Sequence, residues 1–167
     1  MMMADGTRSL IVSQKARYAL RALLMLAETQ VPLRVGQVAE AQAIPQRFLE
    51  KIFGELKRAG IVSSLRGRTG GYLLARSAAS VSFTEILTAV DGEAAPLPCL
   101  RLGANPHCAD CLAIDPCPIR KAYAEVTAAI DPILRNTTLA DATNSRNTLG
   151  TYSPRHHRTG AFYRAPE

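Results

Sequence analysis

Tryptophan is absent from this chain of 167 residues, and aromatic residues of any kind make up only 5% of it. Its core must therefore be aliphatic, and a hydrophobic content of 47% is enough to build one. Cysteine is missing everywhere except residues 99–117, where all four occur, so thiol chemistry is confined to one stretch. Long apolar runs are also missing. The most apolar early segment, Ala19 to Ala27, is interrupted by Arg21, is too short to span a bilayer and is followed by no cleavage site. The expectation is a cytoplasmic protein with no membrane partner, whose thiols sit in a reducing compartment. No nucleophile–base pair or phosphate loop appears, since Arg68-Thr69-Gly70-Gly71-Tyr72 lacks the Lys-Ser/Thr of a P-loop. No enzyme is expected.

What is present is positive charge, unevenly spread. The net charge is +6 and the pI near 9.5. Residues 1–92 carry 12 Lys and Arg against 7 acids, residues 93–142 carry 4 against 6, and residues 143–167 carry 4 against 1. A basic front suits a polyanion such as nucleic acid.

Hydrophobic period and punctuation divide the chain. SQKARYALRALLMLAE reads as a helix capped by Ser13, with Ala16, Ala19, Leu20, Leu23, Leu24 and Ala27 on one face. A short helix is expected around Val35–Ala41. A longer one then starts with Pro45 in its first turn and closes at Gly60, burying Phe48, Leu49, Ile52, Phe53 and Leu56. Ile61–Leu65 and Tyr72–Ala75, joined by a Gly-rich basic turn, predict a β-hairpin. Ser82-Phe83-Thr84-Glu85 is a capping box opening a helix that ends near Gly92. Pro118 starts another helix, which Pro132 should kink or end. From about Thr143 the text is polar and aperiodic, a basic tail expected to be disordered.

Three helices followed by a basic hairpin give the order of a winged helix–turn–helix: a mainly α fold with a small β-hairpin wing. In that geometry the N-terminal residues of the second motif helix reach base edges. Here these are Gln46, Arg47, Glu50 and Lys51. Arg can fork onto guanine, Gln onto adenine, and Glu can accept from the cytosine amino group. The wing tip Arg66-Gly67-Arg68-Thr69-Gly70-Gly71, next to Tyr72, combines two guanidinium groups with little bulk and suits a narrow minor groove. Double-stranded DNA is the expected partner.

Cys99, Cys108, Cys111 and Cys117 are spaced C-x8-C-x2-C-x5-C on a Pro- and Gly-containing loop. Four thiolates so close can converge on one centre, and tetrahedral zinc and iron–sulfur clusters both accept such a set. The spacing does not choose between them. Arg101, Arg120 and Lys121 lie near enough in sequence to offset thiolate charge. His107 reads as a solvated loop histidine, since four thiols already fill a site.

Three stretches carry a family resemblance: KARYALRALLMLA at 15–27, IPQRFLEKIFGELKRAGIVSSLRGRTGGYLLAR at 44–76 and SFTEILTAVDG at 82–92. With them, Val12 to Ala142 resembles the iron–sulfur-cluster regulators, winged-helix transcription factors whose relatives include nitric-oxide-sensing and iron-responsive repressors. The resemblance implies four segments: a DNA-binding domain at 10–92, a cluster-binding loop at 93–117, a dimerisation helix region at 118–142 and the tail at 143–167. It implies a homodimer on a pseudo-palindromic operator, with Glu50 as the cytosine-reading acid. It implies a [2Fe–2S] or [4Fe–4S] cluster held by the cysteine loop, with structural zinc as the alternative. Some relatives carry a ligating His three residues after the last cysteine. Arg120 stands there in this chain; either Cys99 or Cys108 matches the family's first cysteine, and Cys99 is needed more as a ligand, or else His107 steps in.

Overall fold

In the computed structural model, residues 12–67, 70–92, 97–100 and 117–148 are described. Helix α1 (Gln14–Thr29) starts where Ser13 Oγ accepts the Ala16 N–H at 2.9 Å. It stops at Gln30, which turns left-handed with φ 54° and returns its N–H to Leu26. Ala16, Ala19 and Ala22 are fully buried on it. Side chains that small let neighbouring elements approach closely, while Leu23, Leu24 and Leu26 fill the space beside them.

Helix α2 (Val35–Gln42) and helix α3 (Gln46–Arg58) form the turn motif between them. The reversal passes through Ala43 at φ 50° and is locked by the Ile44 N–H on Ala39 O at 2.9 Å. Pro45 caps α3 from outside rather than occupying its first turn; the Phe48 and Leu49 N–H groups both bond its carbonyl. Leu49, Ile52, Phe53 and Leu56 are buried as expected, but Phe48 is 37% exposed. Its ring meets Tyr18 of α1 edge-on, centroids 5.9 Å apart, at the border of the stripe rather than inside it. The helix ends in a Schellman arrangement. Gly60 is left-handed at φ 68°, Ile61 N–H bonds Leu56 O at 2.9 Å and Gly60 N–H bonds Lys57 O at 3.1 Å.

Strands β1 (Val62–Leu65) and β2 (Gly71–Leu74) pair antiparallel with Val62 opposite Leu74 and Leu65 opposite Gly71. Leu33 adds a bridge on the outer side of β2, exchanging bonds of 2.9 and 2.8 Å with Tyr72. After a single 3-10 turn at Ala78–Ser80 comes helix α4 (Phe83–Asp91), where the Ser82–Glu85 capping box forms in full. A second 3-10 turn lies at Pro98–Leu100.

Helix α5 (Pro118–Asn136) does not end at Pro132 but continues past it to Asn136. The proline removes only the bond to the Ala128 carbonyl, and that residue is exposed, so water can satisfy the orphaned oxygen. A further helix, α6 (Leu139–Thr148), corrects the tail boundary: residues 143–148 continue a helix, and residues 149–167 lie outside the described part. Thr138 and Asp141 cap it reciprocally, Thr138 N–H to Asp141 Oδ2 at 2.9 Å and Asp141 N–H to Thr138 Oγ1 at 3.2 Å. Leu139 is fully buried and α6 packs on α1. The core thus unites α1, α2, α3, the inner residues of the hairpin, α4 and the start of α6, whereas α5 buries no residue. Among the described residues no helix is long and apolar enough to cross a membrane.

Candidate nucleic-acid interface and cysteine loop

The outer face of α3 follows from its inner one. With Leu49, Ile52, Phe53 and Leu56 turned to the core, a helix of 3.6 residues per turn must point Arg47, Glu50 and Lys51 outward. All three are exposed, as is Gln46. Gln46 Nε2 donates to Glu50 Oε1 at 3.0 Å across one turn, fixing the carboxylate on the helix surface. The four side chains predicted to read bases therefore share one open surface. Phe48 joins its edge, which the apolar period alone could not reveal because the residue also fits the buried stripe.

The wing is held to this helix in two ways. Lys57 Nζ near the end of α3 donates to Ser64 Oγ of β1 at 2.6 Å. The Tyr72 ring stacks on Phe53, so this residue, predicted to face DNA, is committed to packing through its ring. The glycines also have a packing cause. A Cβ on Gly71 would stand 2.5 Å from Leu33 O, and one on Gly70 would stand 2.4 Å from Leu65 O. Absence of a side chain is required at Gly70 by the hairpin's own backbone and at Gly71 by the backbone of Leu33. Arg66 is exposed at the end of β1, and Gly67 takes φ 111° beside it. Arg68 and Thr69 lie outside the described residues.

Behind the wing, Arg76 donates to Ser80 O and to Glu85 Oε1, each at 2.6 Å. The Ser82 backbone N–H, followed by the Arg76 guanidinium, holds the Glu85 carboxyl below the usual glutamate range.

Two of the four cysteines are described. Cys99 sits in the 3-10 turn at Pro98–Leu100, half-buried, and that turn packs against α5. Cys117 is the residue that caps α5, also half-buried. Both are free thiols. The helix N-terminus at Cys117 favours negative charge, and Arg120 lies half-buried one turn further on. Cys108, Cys111, His107 and Arg101 lie outside the described residues. Among the described residues no three His, Cys, Asp or Glu side chains gather in a metal-holding group. Donor chemistry and placement nevertheless fit a thiolate-bound centre, with both described thiols at the same helix.

Exposed apolar side chains mark α5: Ile119 at 60%, Ile133 at 65%, and Tyr123 and Val126 between them. Their spacing of four, three and seven residues sets them on one face of the helix.

Comparison with known proteins agrees with this architecture. The sequence profile of the Rrf2 family, described as an iron-dependent transcriptional regulator, matches residues 12–145. An rrf2-like HTH-type transcriptional regulator of Rhodobacter capsulatus is 40% identical over 136 residues, covering 78% of this chain and 91% of its own. The HTH-type transcriptional regulator IscR of Klebsiella pneumoniae is 32% identical over 152 residues, 89% of each chain. Among solved structures, T. potens IscR superposes with a TM-score of 0.67 at 26% identity, covering 89% of this chain and 96% of that one. CymR, the global cysteine regulator of B. subtilis, superposes with a TM-score of 0.66 at 24% identity, over 82% and 98% of the two chains.

Proposed function

The chain belongs to the Rrf2 family of winged-helix transcriptional regulators, DNA-binding proteins rather than enzymes, and on that premise we propose that an iron–sulfur cluster on its cysteine loop controls operator binding. The observation that carries the reading is the placement of Cys117 as the cap of α5, with the Cys99 turn packed on the same helix. Cys99, Cys108, Cys111 and Cys117 would hold the cluster, which when bound supplies a tie that responds to iron supply, oxidant or nitric oxide. IscR relatives at 32% and 30% identity support the same assignment.

The remaining steps belong to the chain's own residues. Residues 93–117 leave α4 at one end and enter α5 at the other, so ordering this loop constrains both helices. Ile119, Tyr123, Val126 and Ile133 give α5 an apolar face for a second copy. A homodimer sets two α3 helices about 34 Å apart, one turn of DNA, on a pseudo-palindromic operator. Gln46, Arg47, Glu50 and Lys51 read bases there while the wing, with Arg66 and Arg68, enters the minor groove. A coupling of about 1–3 kcal/mol between loop and helix would shift operator affinity roughly 5- to 150-fold.

The test is anaerobic purification with a visible absorption spectrum and iron, sulfide and zinc analysis. Coloured protein with iron and sulfide in cluster stoichiometry is expected. A colourless protein with one zinc per chain would replace sensing with a structural metal site.

A further inference from the structure

The recognition helix is tethered to the point where the cysteine loop begins, and one side chain makes the tether. Lys15, in the first turn of α1, bonds two other helices at once. Its Nζ donates to Glu55 Oε1 of α3 at 2.9 Å and to the Val90 carbonyl in the last turn of α4. Glu55 Oε2 lies 2.8 Å from the same nitrogen, off the hydrogen-bonding direction and shielded from solvent. The pair is partly buried, with side chains 29% and 24% exposed. One residue from this contact, Ser13 Oγ donates to Asp91 Oδ1 at 2.9 Å, so α1 grips the end of α4 twice. Gly92 then closes α4 at φ 75°, and the loop follows from residue 93.

Whatever this partly buried Lys–Glu pair adds to folding, the same ammonium also reaches the end of α4, so the contact ties α3 to that end. The last carbonyls of a helix have no partner within it. Lys15 supplies one to α4 only while the last turn stays wound as far as Val90. If the departing loop pulls that turn open, the ammonium loses a partner and keeps only Glu55. Glu55 lies one turn beyond Glu50 and Lys51 on the same helix, so its anchoring is felt at the residues that read bases.

We propose that Lys15 is a positioning residue that relays the state of the cysteine loop, through the end of α4, to the orientation of the recognition helix. The relay deepens the sensing reading above and rests on it.

The experiment measures binding of full-length protein to two DNA probes, in wild type and in Lys15→Met, each with and without Cys117→Ser. One probe is a duplex selected by the wild-type protein from a randomised library; the other is poly(dI-dC). Thermal midpoints are recorded for all four proteins. With Lys15 present, Cys117→Ser is expected to change affinity for the selected duplex roughly fivefold or more. In the Lys15→Met background the same change is expected to fall to nearly nothing, with poly(dI-dC) binding equal throughout. Should Lys15→Met fail to fold, Glu55→Met, which carries no acceptor, cuts the same contact from the other side and carries the same expectation. An equal effect of Cys117→Ser in both backgrounds would leave sensing standing and overturn the relay. A silent Cys117→Ser in the wild-type background would overturn sensing, and the relay with it. A Lys15→Met protein that weakens both probes together would make Lys15 a phosphate contact instead.

Discussion

The rings of Phe53 and Tyr72 stack face to face, with centroids 4.5 Å apart and planes 9° from parallel. Phe53 is fully buried on α3 and Tyr72 is the second residue of β2, so the helix and the hairpin meet in an aromatic contact as well as through Lys57 and Ser64. Phe53→Ala should lower unfolding free energy by about 3–5 kcal/mol, measured by urea titration. Tyr72→Phe keeps the stack and should leave the midpoint in place. Any loss of operator affinity in Tyr72→Phe then isolates the hydroxyl.

Three glycines should respond in opposite directions to the same change. Gly71→Ala drives a methyl to within 2.5 Å of the Leu33 carbonyl, and Gly70→Ala meets Leu65 O just as closely. Each should lower stability by more than about 1 kcal/mol, because backbone must move to make room. Gly54, in the middle of α3, has open space where its Cβ would go. Gly54→Ala should therefore raise stability by about 0.5–1 kcal/mol through helix propensity. Thermal melts of the three variants side by side check the contrast.

Base reading and phosphate binding should separate on substitution. Glu50→Ala should alter preference among operator sequences more than overall affinity, since a carboxylate repels phosphate and rewards only a correctly placed donor. Arg66→Ala should weaken binding to every sequence and reduce the slope of log affinity against log salt by about one. Titrations at several salt concentrations, with matched and mismatched duplexes, measure both. If neither change moved operator affinity, the docking of α3 and the wing would be wrong.

The acid limb of the stability profile should carry the signature of Glu85. Its carboxyl is held below the usual glutamate range by the Ser82 N–H and the Arg76 guanidinium, so the folded state favours the ionised form. The contribution is present in full above the ordinary glutamate value and is lost as pH falls through the lowered one. Glu85→Gln should flatten the fall in thermal midpoint across that acidic window and leave the neutral-to-alkaline part of the profile parallel to wild type.

Local chemistry was readable from sequence wherever a few neighbouring residues decide it. Ser13, Gly60 and the Ser82–Glu85 box each end or begin a helix as their residue types dictate, and the hairpin follows its glycine-rich turn. Misreadings arose where a distant partner decides. Phe48 fits the buried period of α3, yet Tyr18 meets it at the surface. Pro132 could have ended α5, but here it costs one bond at an exposed residue and the helix continues. Helix α6 has almost no apolar period and forms because a Thr–Asp cap and one buried leucine suffice. The polar positions on the outward face of α3 were legible, because burying one side of a helix specifies the other. The tie through Lys15 was not, since its partners lie 40 and 75 residues away and no local pattern joins them.

The bridge between Ser82 and Thr138 has a consequence for the order of events at the ribosome. Phe83 N–H bonds Thr137 O, Leu139 N–H bonds Val81 O, and Leu139 is fully buried in the core shared with α1. The core is therefore complete only once the chain has been synthesised past Leu139. By then Cys99 to Cys117 and all of α5 have already been made. A nascent chain thus presents all four thiols before the core of the winged helix is complete.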